Sequence, residues 1–95
     1  MQLQDRIMSA ALQIAARVGI SATTRDAIAA RVPCSAGSVS FHFGERRKLE
    51  RAIVEAAIAQ QNLAVIGSAI AERHPSVKNL PDDVRARALR VYLGK

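Results

Sequence analysis

Cysteine and aromatic residues are scarce in this sequence. Its 95 residues include one cysteine, no tryptophan, one tyrosine and two phenylalanines. The single Cys34 cannot form a disulfide within the chain, which is typical of proteins in a reducing compartment. Strand-like alternation is also rare, while alanine and branched aliphatic residues dominate. We therefore expect an all-α fold whose core is aliphatic.

Signals for a membrane location are missing as well. The N-terminus has no apolar signal-peptide core. The most apolar stretch, residues 56–71, is interrupted by amide side chains at 60–62 and is too polar for a membrane span. These absences predict a cytoplasmic protein without a membrane partner.

Residue patterns for catalysis or metal binding are absent too. The two histidines, His42 and His74, lie far apart in the chain, and no Cys or His pair has the spacing of a metal site. The serines at 35, 38 and 40 have no neighbouring acid–base pair. We therefore expect no metal, no cofactor and no enzymatic activity.

Positive charge is the first feature that points to a partner. The chain has 14 Lys and Arg against 8 Asp and Glu, a formal net charge of +6. The densest basic cluster is Arg46-Arg47-Lys48 with Arg51. A solvated helix face could carry such a cluster, but a polyanion such as double-stranded DNA is also a reasonable partner.

The first half of the chain predicts two helices before Pro33. Apolar residues at spacings of three and four predict a helix over residues 3–18, with Gly19 as its C-cap. Thr23 or Thr24 then supplies the N-cap of a second helix. Pro33 stops that second helix.

A third short helix, capped by Ser35, is predicted to end near Phe43. It follows the second helix after only a few residues and has little apolar area of its own. Two short helices so arranged favour a helix-turn-helix, whose second helix enters the major groove of DNA.

The second half predicts a long fourth helix, residues 45–73, and a short fifth helix that begins at Pro81. The fourth helix has so little charge that it must be covered on more than one side. The fifth helix could fold back onto it, or a second copy of the chain could pack there. We expect the second arrangement, a homodimer. Its interface residues would be Leu63, Ile66, Ile70, Leu89 and Tyr92.

A set of residues in the first half of the chain forms a combined pattern: Ala10, Ala11, Leu12, Gly19, Thr23, Thr24, Ile28, Ala29, Ser35, Gly37, His42, Phe43 and Leu49. With this pattern, residues 7 to about 54 resemble the N-terminal DNA-binding domain of the tetracycline-repressor (TetR) family of bacterial transcription regulators. The resemblance implies a three-helix DNA-binding unit, placed here at residues 1–51. Residues 52–95 would be a connector and the start of a dimerisation and ligand-binding region. Family members are about twice as long, so this chain would be a truncated piece or a compact member, and any inducer stays open.

The resemblance also implies which residues meet DNA. Backbone contacts fall to residues before the second helix and at the start of the fourth, and groove contacts to the third helix. The expected set is Thr24, Arg25, Ser35, Ala36, Gly37, Ser38, Ser40, Phe41, His42, Arg46 and Arg47. Phe41 is expected to point outward and Phe43 into the core.

Three positions depart from the family pattern. Pro33 stands where glycine is usual, so the turn must form without a positive φ. Ser40 replaces a common tyrosine and Ala36 a frequent lysine, which removes two phosphate contacts. The sequence thus predicts a DNA-binding repressor on a palindromic operator. The alternative is a protein–protein interaction module that uses the apolar helix 52–73.

Overall fold

The computed structural model describes residues 2–94. These residues form six α-helices and one short 3₁₀ turn, and they contain no strand. The all-α prediction is confirmed. Within the described residues, no helix is long and apolar enough to cross a membrane. The helices are α1 Leu3–Val18, α2 Arg25–Arg31, α3 Ala36–Phe43, α4 Arg46–Ala59, α5 Leu63–Ala71 and α6 Asp82–Leu93, with the 3₁₀ turn at Pro75–Val77.

The two neighbouring threonines before α2 have different roles. Thr24 is the N-cap, and its hydroxyl accepts a hydrogen bond from the Ala27 N–H at 3.1 Å. Thr23 is buried, and its hydroxyl donates to the carbonyl of Gly19 at 2.8 Å. Gly19 has a φ of 97°, which favours glycine. The turn between α1 and α2 is therefore fixed by its own side chains.

The single long helix predicted over residues 45–73 is wrong, because the chain reverses at residues 60–62. Gln61 adopts a φ of 55°, and the N–H groups of Gln61 and Asn62 donate to the carbonyls of Ile58 and Ala57. This pair of hydrogen bonds is a Schellman motif. The Asn62 side chain then caps α5 by accepting from the Val65 N–H. The motif usually has glycine at its left-handed position, so a glutamine there gave no signal in the sequence.

Helix α6 folds back and packs along α5. Gly67 makes this close approach possible, since a Cβ built on it would lie 2.5 Å from the Ala88 carbonyl oxygen. Ile66 is only 1% exposed, so its predicted role as an exposed dimer contact is wrong. The other four residues of the expected interface, Leu63, Ile70, Leu89 and Tyr92, are half-buried.

One core joins the two halves of the chain. The boundary predicted between residues 51 and 52 falls inside α4. Leu49 on one side of it and Ile53 and Val54 on the other are buried in the same cluster as α1. The orientation of α4 is therefore fixed from both halves.

We predict that Gly67→Ala destabilises the protein by about 1–3 kcal/mol, because the added methyl forces α5 and α6 apart. Gly37→Ala is the matched control. A Cβ at Gly37 meets only the Ser35 hydroxyl, at 3.7 Å, and alanine is the better helix former. Urea denaturation checks both variants. Equal stability of the two would contradict the packing described here.

Candidate nucleic-acid interface

Helices α2 and α3 form a helix-turn-helix whose turn contains no left-handed residue. Val32 ends α2 in an extended conformation, with φ −105° and ψ 106°. Positive φ values among non-glycine residues of the described chain occur only at Gln61 and Arg73. The turn thus accommodates Pro33, as its fixed negative φ requires. Ile28, Val32 and Val39 are buried beneath it and hold the two helices to α1.

The outer face of α3 presents one large side chain among small ones. Phe41 is 85% exposed, while Val39 is fully buried and Phe43 packs against the core. The predicted directions of the two phenylalanines are therefore confirmed. Gly37 is exposed, and the other predicted contact residues of the helix, Ala36, Ser38, Ser40 and His42, are half-buried.

The N-terminus of α3 is organised by two serines. The Ser35 hydroxyl accepts a hydrogen bond from the Ser38 N–H at 3.1 Å, so Ser35 is the N-cap that the sequence predicts. The two hydroxyl oxygens are also 3.0 Å apart, in hydrogen-bond contact. The Ser38 side chain is thereby oriented at the exposed start of the helix.

A hydrogen bond from Arg25 ties the start of α2 to α3. The Arg25 Nη1 group donates to the Ser40 Oγ atom at 3.0 Å. These two residues line an open cleft of about 330 Å³ together with Thr24 and Arg46. The cleft is where the ends of three helices meet, and the side chains of Asp26 and Glu45 border it together with the two guanidinium groups. The N–H donors of the two arginines can bind an anionic group such as a backbone phosphate.

Arg46 is oriented by two contacts. Its Nη2 group donates to the Ser21 carbonyl at 2.7 Å, and its Nε group donates to Glu50 at 2.9 Å. The side chain remains 65% exposed, and a guanidinium has five N–H donors. Arg46 is therefore fixed in direction and still has donors for a further acceptor.

Arg47 lies apart from the residues around Arg46. It lines a different cleft on α4, with Arg51, Glu50 and the segment 74–76. The structure thus brings Thr24, Arg25, Ser40 and Arg46 together but places Arg47 elsewhere. Within residues 2–94, no group of three potential ligand side chains is close enough to hold a metal ion.

Sequence reasoning missed the part of Ser21 in this arrangement. Its contribution is a backbone carbonyl, which any residue type supplies, so no side-chain signal could have revealed it. The acceptor is recognised only once the turn is seen beside Arg46.

Comparison with known families gives one match. The family model described as bacterial regulatory proteins, tetR family, matches residues 7–53, about half of the chain. These residues cover α1 from Ile7 onward, all of α2 and α3, and the first half of α4. No curated protein and no solved structure matches the chain.

Proposed function

Because residues 7–53 place this chain in the tetR family of bacterial regulatory proteins, we propose that it is a transcriptional repressor. In this proposal α3 enters the major groove of a palindromic operator. The observation that carries the proposal is the exposed face of α3, with Phe41 at 85% exposure. An aromatic side chain so exposed on a helix beside several arginines fits contact with sugars and thymine methyl groups.

The shape of α3 supports entry into a groove. Recognition helices contact base edges mainly through their N-terminal residues. Here those residues are Ala36, Gly37 and Ser38, whose small side chains allow the backbone to approach closely. The Ser38 hydroxyl, held by Ser35, is placed to exchange hydrogen bonds with a base edge.

The arginines around the cleft support backbone contacts. Arg25 borders it at the start of α2 and Arg46 at the start of α4, and Thr24 caps α2. Arg47 is a further cation at the start of α4. Such contacts fix register and supply affinity but do not read sequence. They would also compensate for the phosphate contact that the usual tyrosine at position 40 makes.

A homodimer is part of the proposal, because one helix of eight residues reads too few base pairs for high specificity. Two-fold pairing places two recognition helices about 34–36 Å apart on a palindrome. Since Ile66 is buried, the surface for pairing must be another one. We assign it to the exposed apolar residues Val18, Val91 and Leu93, at the C-terminal ends of α1 and α6.

The alternative function, a protein–protein interaction module, is not supported by any specific observation. It required the apolar face of residues 52–73 to be free for a partner. Most of that face, including Ile53, Val54, Val65 and Ile66, is buried within the chain itself. We therefore do not retain it.

The first functional prediction is that Arg46→Ala removes one phosphate contact. Affinity for operator and for random duplex DNA should fall by similar factors, and the slope of log K against log salt should flatten by about 0.9. Fluorescence anisotropy titrations across a salt series measure both quantities. Arg87→Ala, which removes an exposed arginine on α6, is the control and should bind more nearly as the wild type does. An unchanged slope in Arg46→Ala would rule out the contact.

The second functional prediction is that Ser38 and Phe41 contribute to sequence choice. Ser38→Ala and Phe41→Ala should each change the preference at one or two base pairs, by roughly 1–3 kcal/mol per lost base contact. In vitro selection from a random duplex library measures this. Phe41→Ala should leave folding stability within about 0.5 kcal/mol of the wild type, because the side chain is exposed. The same selected consensus for both variants and the wild type would refute the assignment.

The third functional prediction concerns assembly. Sedimentation at micromolar concentration should show a dimer, and complexes with a palindromic duplex should contain two chains. Leu93→Glu should weaken the dimer, since it places a charge in the apolar contact. Ala86→Glu, at another exposed position of α6, is the control. A wild-type chain that remains a monomer both alone and on DNA would contradict the proposal.

A further inference from the structure

The carboxylate of Glu72, at the end of α5, binds the turn between α1 and α2. Its Oε2 atom accepts a hydrogen bond from the Ile20 N–H at 2.8 Å, and its Oε1 atom accepts one from the Ser21 N–H at 3.0 Å. The Ser68 hydroxyl donates to the same Oε2 atom at 3.1 Å. Glu72 lies more than fifty positions from this turn in the sequence and outside the residues that match the family. A residue of the second half of the chain therefore holds a turn of the DNA-binding half.

Gly19 allows this approach of the carboxylate. A Cβ built on Gly19 would lie 2.7 Å from the Glu72 Oε2 atom, well inside contact distance. The positive φ of Gly19 also directs the following N–H groups toward α5. The glycine thus serves two purposes, since it ends α1 and makes room for Glu72.

The peptide units of Ser21 connect Glu72 to Arg46. The Ser21 N–H donates to Glu72, and the Ser21 carbonyl accepts from the Arg46 Nη2 group at 2.7 Å. Because Glu72 holds the Ser21 N–H, the Ser21 carbonyl is also held in position, and this carbonyl in turn orients the Arg46 guanidinium. The hydrogen bonds made by Glu72 therefore contribute to the direction of Arg46, together with the bond from Arg46 to Glu50.

The same turn also leads directly into α2. The Ile20 carbonyl accepts from the Thr23 N–H at 3.0 Å, and the Gly19 carbonyl accepts from the Thr23 hydroxyl. Thr24, the N-cap of α2, follows at once. Displacement of the turn would therefore shift the start of α2 relative to α4, on both sides of the cleft.

We propose that Glu72 is a positioning residue for DNA binding, which holds the turn at residues 20–21 so that Arg46 is directed at the DNA backbone. The inference rests on the proposed function. Glu72 carries a negative charge, which by itself would oppose the binding of a polyanion. Its effect on DNA affinity is therefore exerted through the turn and is favourable, whereas the effect of its charge alone would be unfavourable.

Glu72→Gln tests the proposal, because charge and positioning predict opposite results. Loss of a negative charge alone would tighten DNA binding. Glutamine has an NH2 group in place of one of the two carboxylate oxygens, so it cannot reproduce the arrangement in which each oxygen accepts from a different backbone N–H. We expect affinity for a random-sequence duplex to fall roughly fivefold, the equivalent of about one hydrogen bond. The salt slope should flatten, as is expected for Arg46→Ala.

Two further variants make the experiment specific. Glu55→Gln removes an exposed acidic charge from α4 and should bind as tightly as the wild type or more tightly. The double variant Arg46→Ala with Glu72→Gln should bind no more weakly than Arg46→Ala, because both changes remove one contact. All titrations are run where circular dichroism shows each variant fully folded. Binding by Glu72→Gln as tight as that of Glu55→Gln, or additive losses in the double variant, would overturn the proposal.

Nuclear magnetic resonance of the free protein tests the positioning role of Glu72 independently of DNA binding. If the wild type fails to bind any duplex, the proposed function is wrong, while the connection from Glu72 to Arg46 can still be measured in the free protein. In Glu72→Gln, amide exchange should accelerate at Ile20 and Ser21, and the Arg46 side-chain N–H signals should shift. Unchanged Arg46 signals would overturn the positioning role.

Discussion

The reversal of the chain at residues 60–62 is the constraint on which the rest of this structure depends. A straight helix over residues 45–73 would be about 40 Å long at 1.5 Å per residue, longer than the largest extent of the whole molecule, 38 Å. Such a helix would carry Glu72 away from α1 and leave its apolar residues open. The reversal lets α5 return beside α1, and it brings Glu72 to the turn before α2.

Close packing of α5 and α6 completes this arrangement. Gly67 and Ala88 let the two helices touch through backbone atoms and small side chains. The chain thereby covers its own most apolar helix, so a second copy is not needed for that purpose. The proposed dimer would then have to form through other surfaces. The stability of the fold therefore does not depend on dimer formation.

The cleft between α2, α3 and α4 shows how a small chain can organise several cations with few elements. Arg25 is directed by Ser40, and Arg46 is directed by Ser21 and Glu50. Each guanidinium keeps donors free after these contacts. Side chains ordered in advance lose less entropy when they bind. In the proposed complex with DNA, this would compensate for the absence of the usual tyrosine at position 40.

The sequence alone determined the all-α fold, the first three helices and the helix cap at Ser35, and it limited the cap of α2 to Thr23 or Thr24. These features follow from local patterns of hydroxyl, apolar and proline residues, which act within a few positions of each other. The directions of Phe41 and Phe43 were also predictable, because two residues so spaced cannot share one face of a helix.

Only the tertiary structure decided the break between α4 and α5, the burial of Ile66, and the contacts of Ser21. Gln61 and Arg73 take left-handed conformations that sequence patterns normally assign to glycine. The return of α6 depends on the shape of two helix surfaces at Gly67, and the contact of Glu72 depends on a turn far away in the chain. These features depend on long-range packing and on hydrogen bonds to backbone atoms. Neither produces a periodic pattern in the amino-acid sequence.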